Sequence, residues 1–326
     1  MKKFAVSCLA LLFVAGVAGN IFAADEHKYF RAVMGGSSVF SQEIAEAVFN
    51  NSGNYTFFKK QGTSSGDVED RDGLTMWVKG FYGDGKVDFN DINKINTTYY
   101  GGIIGVDTDR KYGRCFDATY GIFGSYTNGE FKNDNNNGKV VEEGGYLGIR
   151  ANWYVGKLFI GALADYGYRR STIKGGGFRE EDFDSQNIGV AAKAGYNFEL
   201  SDRSFTVQPN VLVSGDMIIA ESYNFAGQKV ESDDFYSYAV APGLKLAKNF
   251  GKCWIVTAEG KYVITGSEGN VELNDNLKAN TYYPDYASAG LGVEKIWGYT
   301  VLHAKVNKTF AGRDEIIVNA GMEFKF

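Results

Sequence analysis

The 326 residues carry 39 acidic against 34 basic side chains, a formal charge of -5, with 42 glycines, 21 tyrosines, 24 phenylalanines and only 3 prolines. A mildly acidic chain is a poor match for nucleic acid, so no nucleic-acid partner is expected. Past its first residues the chain has no apolar run near the roughly 20 residues of a membrane-spanning helix; a membrane crossing would need strands of about 10 residues, half of them apolar.

Residues 1–24 read as a secretory signal peptide: Lys2 and Lys3, an apolar run from Phe4 to Gly19, then Ala23 and Ala24. Its removal takes the formal charge from -5 to -7. Residues 25–73 form a short N-terminal segment that does not read as hairpins. In it Ser41 is placed to cap a helix from Gln42 to about Phe49, stopped by Asn50-Asn51-Ser52-Gly53. The acidic stretch Ser64 to Asp72 reads as a solvated tether before it reads as a calcium site.

From 74 to 326 the chain alternates. Strands are expected at 74–83, 97–108, 115–126, 142–153, 157–170, 185–199, 204–220, 235–248, 252–266, 282–296, 299–310 and 314–326. Twelve is an even number, as single-chain bacterial barrels have, although a slip to 10 or 14 stays open. The connections alternate between long (84–96, 127–141, 171–184, 221–234, 267–281) and short (109–114, 154–156, 200–203, 249–251, 297–298), which puts both termini in the periplasm. Only the hairpin near Ala311 to Arg313 is short on the outer side. The expected fold is an all-β, 12-stranded antiparallel transmembrane β-barrel with a short N-terminal helical segment.

Parity assigns the faces. Leu147, Ile149, Ala151 and Trp153 face lipid while Tyr146, Gly148, Arg150 and Asn152 face the lumen. The same rule points Arg150, Arg169, Lys193, Lys245, Lys261 and Lys305 inward, with Asp165, Glu259, Glu294, Glu323 and His303. Such charges either brace a closed barrel or tune an ion path. Aromatics near the strand ends, Trp77, Trp153, Tyr154, Tyr168, Phe198, Phe205, Trp254, Tyr282, Tyr283, Trp297, Tyr299 and Phe326, are expected in the interfacial girdles.

The last residues, Asn319-Ala320-Gly321-Met322-Glu323-Phe324-Lys325-Phe326, alternate apolar and polar and end on an aromatic. Asn319, Gly321, Phe324 and Phe326 resemble the signal read by the barrel-assembly machinery. That resemblance implies this machinery and periplasmic chaperones as partners, with outer-membrane lipid around a monomer. The segments Trp77 to Gly83, Tyr100 to Asp107, Gly121 to Tyr126 and Gly144 to Gly148 are similar to the opening strands of the autotransporter β-domain, the type V secretion translocator. The resemblance spans about residues 74–326 and implies an outer-membrane translocator or anchor, its helix threading the lumen. With 49 residues between leader and barrel, little or no passenger is expected; a free-standing small porin or structural, adhesive barrel is the alternative.

No catalytic role is expected. An outer-membrane phospholipase needs a serine and a histidine together on the lipid-facing surface, and parity turns His303 inward. Asn50-Asn51 reads as a helix end rather than a self-cleavage site, and Asn133 to Gly138 as a polar loop tip rather than half a calcium loop. Cys115 and Cys253 fall half a barrel apart, so no disulfide is expected. No motif for a metal, a phosphate loop, a dinucleotide or any other cofactor is present.

Overall fold

Successive side chains of a strand leave opposite faces, and where one face meets lipid and the other a lumen, only one register survives. The computed structural model describes residues 39–49, 73–88, 95–112, 116–133, 138–174, 180–200, 204–225, 228–232, 234–251, 253–273, 277–280 and 284–326. Twelve long strands make the wall: β1 (Leu74–Val87), β2 (Ile95–Lys111), β3 (Phe116–Asn133), β4 (Lys139–Val155), β5 (Leu158–Lys174), β6 (Glu181–Tyr196), β7 (Phe205–Ala220), β8 (Phe235–Phe250), β9 (Trp254–Glu268), β10 (Tyr286–Trp297), β11 (Thr300–Ala311) and β12 (Arg313–Lys325). Each pairs antiparallel with the next, and β12 returns to β1, Val78 opposite Met322, so the sheet closes. The expected transmembrane barrel of 12 strands is the fold observed.

Burial follows parity. Leu147 and Ile149 are 73% and 62% exposed to the outside, while Tyr146, Arg150 and Asn152 are buried within. Two of the aromatics expected in the girdles belong elsewhere. Trp77 is 2% exposed and Tyr154 5%, both inside the lumen. Nearness to a strand end suggested an interface, but Trp77 shares parity with luminal Lys79, and Tyr154 with Arg150 and Asn152. Tyr282 and Tyr283 lie outside the described residues, as do the expected leader, the acidic tether, Asn50-Asn51, most of the Asn133 to Gly138 tip, and Cys115.

The glycine richness has a spatial cause. On the luminal face of β1 to β5 an aromatic ring of one strand occupies the space over a glycine of its neighbour: Trp77 over Gly105, Phe81 over Gly101, Tyr99 over Gly83, Phe123 over Gly148 and Tyr146 over Gly167. A Cβ at any of these glycines would collide with the ring and push it toward the axis. The rings thereby stay close to the wall, and the axis is left for a helix.

On the outer side several strands run past their expected ends, β3 to Asn133 and β5 to Lys174. The long connections after β7 and β9 also contain strands. Tyr223–Phe225, Gln228–Ser232, Asn270–Leu273 and Leu277–Asn280 form a separate four-stranded sheet in which Val230 pairs with Leu273 across the two loops. A strand clear of the bilayer needs no lipid face, so the apolar alternation that marks the barrel strands is weak there. The short outer turn holds Ala311 at φ 73, the only non-glycine with positive φ among the described residues.

Candidate functional site

Residues 39–49 form a helix, α1, and it lies in the lumen, its residues buried apart from partly enclosed Glu46. Sequence expected a helix from Gln42 capped by Ser41. Instead Ser41 is inside the helix and accepts a hydrogen bond from Asn187 Nδ2 at 3.2 Å. Phe40, Ile44 and Val48, spaced by four, make one apolar stripe, and Gln42, Glu43 and Glu46 make a polar one. The wall is divided to match.

The apolar stripe belongs to the same buried cluster as the aromatics of β1 to β4. Phe40 meets Tyr99 and Phe131 edge-on, with ring centroids 6.0 and 6.1 Å apart. The polar stripe meets β9 to β12. Lys261 pairs with Glu46, Tyr286 donates to Gln42 Oε1 at 3.1 Å, and Arg313 Nη2 donates to Glu43 Oε1 at 2.9 Å. Arg313 is fully buried and serves as a hub. Its guanidinium also donates to Glu315, to Tyr99 OH at 2.5 Å and to Tyr286 OH at 3.3 Å. A planar fork of five donors suits such a node, where an ammonium would not.

The other end of the helix exposes carbonyls that no further turn satisfies. Lys79 Nζ donates to Ala47 O at 2.9 Å and Arg150 Nη1 to Val48 O at 2.9 Å. Arg150 is itself held by a buried pair with Asp107 and stacks 4.4 Å over Trp77. Cations at a helix C-terminus complement its dipole. Lys79 and Arg150 lie near the periplasmic ends of their strands, and Tyr99, Phe131 and Arg313 near the outer ends of theirs. The helix therefore runs with its N-terminus toward the outer mouth.

The residues expected to line the lumen all turn inward. Arg150, Lys261, Lys305 and Glu259 enter ion pairs, Lys305 with Glu259. Arg169, with no exposed side-chain surface, stands 3.8 Å from Glu142. Asp165, Lys193, Lys245, Glu294, His303 and Glu323 are 5 to 8% exposed. Sequence reasoning passed over Lys79, Asp107, Glu142, Asp216, Arg313 and Glu315. Parity points all of them inward; Arg313, expected in the short outer turn, is the first residue of β12.

These enclosed charges are sorted along the axis. Toward the periplasm stand Lys79, Arg150, Lys193, Lys245, Lys261 and Lys305 with Asp107, Glu259, Glu294 and Glu323. Toward the outer mouth stand Arg169 and Arg313 with Glu142, Asp165, Asp216 and Glu315. The inner half is thus basic by two charges and the outer half acidic by two. A small cavity of about 20 Å³ remains beside Ala47, among Lys79, Lys245, Glu259, Glu294, His303 and Lys305, room for a water or two.

At the closing strand Phe324 and Phe326 are exposed on the lipid side, 37% and 74%. Asn319 and Gly321 face inward, and the space over Gly321 is filled by the His303 ring. Cys253 is exposed and unbonded.

The family model described as "Autotransporter beta-domain" matches residues 76–298. The transport unit of the autotransporter AIDA-I from Escherichia coli superposes with a TM-score of 0.68 at 20% identity, over 84% of this chain and 98% of that one. The β-domain of the Bordetella autotransporter BrkA gives 0.66 at 16% identity, over 78% and 100%. The translocator domain of NalP from Neisseria meningitidis gives 0.62 at 14%, over 89% and 99%. A comparison with curated protein sequences returns no match.

Proposed function

The chain belongs to the autotransporter β-domain family and is an outer-membrane β-barrel of autotransporter type, and from that premise we propose that it presents the segment ahead of α1 at the cell surface. The observation that carries this reading is the polarity of the helix, whose N-terminus points to the outer mouth while Lys79 and Arg150 hold its C-terminus. A lumen filled by a helix bonded to the wall on both sides does not suit a free-standing porin. The test is an epitope inserted between residues 25 and 38, probed on intact cells against one inserted at the turn near Gly156. Surface labelling of the first alone is expected; labelling of the first only after the outer membrane is permeabilised would overturn the proposal.

The barrel is proposed to act by holding and guiding chain, without catalysis. In support, His303 is enclosed in the lumen and packs over Gly321, away from the lipid surface that a phospholipase would use. Lipase activity lost on His303→Ala would refute this.

Assembly is proposed to proceed as a monomer through the barrel-assembly machinery with periplasmic chaperones. Phe324 and Phe326, standing on the lipid side of the strand that closes the barrel, support it. A charge at Phe326 lies near the interface, where it costs the folded barrel only about 0 to 1 kcal/mol. Phe326→Asp should therefore lower the folded population in cells far more than the denaturant midpoint in detergent. Equal losses would remove the argument for a signal.

A further inference from the structure

Of the enclosed cations in the outer half of the lumen, Arg313 is committed to Glu43 and Glu315. Arg169 leans over Gly144 of β4 and stands 3.8 Å from Glu142. Asp165 and Asp216 remain, with no ion pair of their own among the described residues. Each is 7% exposed, and both point into the lumen. Carboxylates buried without a countercharge are costly, so two of them in one place need a physical reason.

The register brings them together. Asp165 of β5, Gly189 of β6 and Asp216 of β7 form one row across the wall. Gly189 has no side chain, and the Asp165 carboxyl takes that space, both its oxygens 2.8 Å from where a Cβ would stand. Asp165 thus leans toward Asp216, and the two act on each other as like charges. Asp216 accepts hydrogen bonds from Ser237 Oγ at 2.9 Å and from Ser41 of α1. Ser41 in turn accepts from Asn187 Nδ2 at 3.2 Å, so the other end of that amide, Oδ1, is turned away from Ser41. Neither Asn187 Oδ1 nor Asp165 Oδ1 meets a donor, although Asn187 has no exposed surface. Two carboxylates and an amide oxygen are therefore gathered with acceptors in excess and two negative charges unanswered.

We propose that Asp165, Asp216 and Asn187 hold one hard divalent cation, calcium, between β5 to β7 and the first turn of α1. Calcium takes roughly six to eight oxygen ligands at about 2.3 to 2.6 Å in irregular arrangements, water completing the set, and so suits two carboxylates and an amide oxygen. Its two charges equal those that Asp165 and Asp216 leave unanswered. An ammonium of the wall is a poorer partner, since Lys193, the luminal lysine of β6, stands four residues from Gly189 toward the periplasm. Because Ser41 bonds both Asp216 and Asn187, the ion also fixes the first turn of α1 to the wall.

The full chain is refolded in detergent over a series of calcium chloride concentrations and in chelator, then desalted for metal analysis and hydrogen exchange. One calcium per folded chain is expected, with α1 amides at least tenfold better protected than in chelator. Asp165→Asn and Asp216→Asn should each weaken calcium binding at least tenfold and remove the gain in protection. Glu143→Gln, on the outer face, should change neither. Absence of retained calcium in the wild type would overturn the proposal. Equal retention by Asp165→Asn would also overturn it, by placing the ion on surface carboxylates; should Asp216→Asn fail to fold, Asp165→Asn, whose Oδ1 has no hydrogen bond to lose, decides alone. Protection of α1 that follows acidity and ignores calcium would mean that the two carboxyls share a proton, and the cation site would have to be abandoned.

Discussion

Lys79→Met is the sharpest probe of how the helix is held. Methionine keeps the length of the stem and removes the ammonium that donates to Ala47 O at 2.9 Å. A hydrogen bond from a charged group is worth about 1.5 to 3 kcal/mol net, and a cation at a partly buried helix C-terminus up to about 2 kcal/mol, two overlapping descriptions of one contact. Against this stands the relief of no longer burying a charge that is 3% exposed. A net loss of about 1.5 kcal/mol is a factor of roughly ten in the population with the helix out of its seat. Hydrogen exchange on the full chain should show α1 amides about tenfold less protected while the strands stay unchanged. Bilayer recordings should show the open fraction rising by a similar factor, and Lys79→Arg, which restores a donor, should reverse both. An unchanged α1 protection in a folded Lys79→Met barrel would refute the idea that this contact anchors the helix.

Arg313→Met strands Glu43 and Glu315 without their cation, so it should cost about 3 to 5 kcal/mol by denaturant unfolding in detergent, and Arg313→Lys should recover little of it. Gly105→Val drives a side chain into the Trp77 ring and should reduce the folded, heat-modifiable band, whereas Gly124→Ala, with 3.5 Å of clearance on the outer face, should leave it intact. Ala311→Gly relieves a left-handed alanine at φ 73 and should raise stability by up to about 1 kcal/mol, because the strain relieved there exceeds the added freedom of the unfolded chain.

The wall was legible because lipid leaves so little choice. One slip of register would put Arg150 and Lys193 in hydrocarbon, so parity alone fixes each strand, and long-short alternation of the connections fixes its direction. The same rule, applied to every residue, would also have moved Trp77 from the girdle to the lumen and brought in Lys79. What the sequence does not display is the fit between elements distant in the chain. Phe40 meeting Tyr99 and Phe131, or Glu43 meeting Arg313 across 270 residues, depends on how the strands are arranged around the lumen, which no local pattern displays. The outer sheet was missed for a related reason. Its strands pair loop with loop, Val230 with Leu273, and carry no lipid face to mark them.

The direction of α1 follows from the wall rather than from the helix alone. A helix carries about half a positive charge at its N-terminus and half a negative charge at its C-terminus. The basic inner half of the lumen receives the negative end, with Lys79 and Arg150 on its carbonyls, and the acidic outer half receives the positive end. Reversal would turn both contacts repulsive. With up to about 2 kcal/mol at each favourable terminus, the difference between the two orientations reaches a few kcal/mol, a preference of a hundredfold or more. Reversal would also carry Glu43 away from Arg313 and Phe40 away from the Tyr99 and Phe131 rings. Charge sorting along the axis and aromatic sorting around it therefore agree on one seat and one polarity for α1.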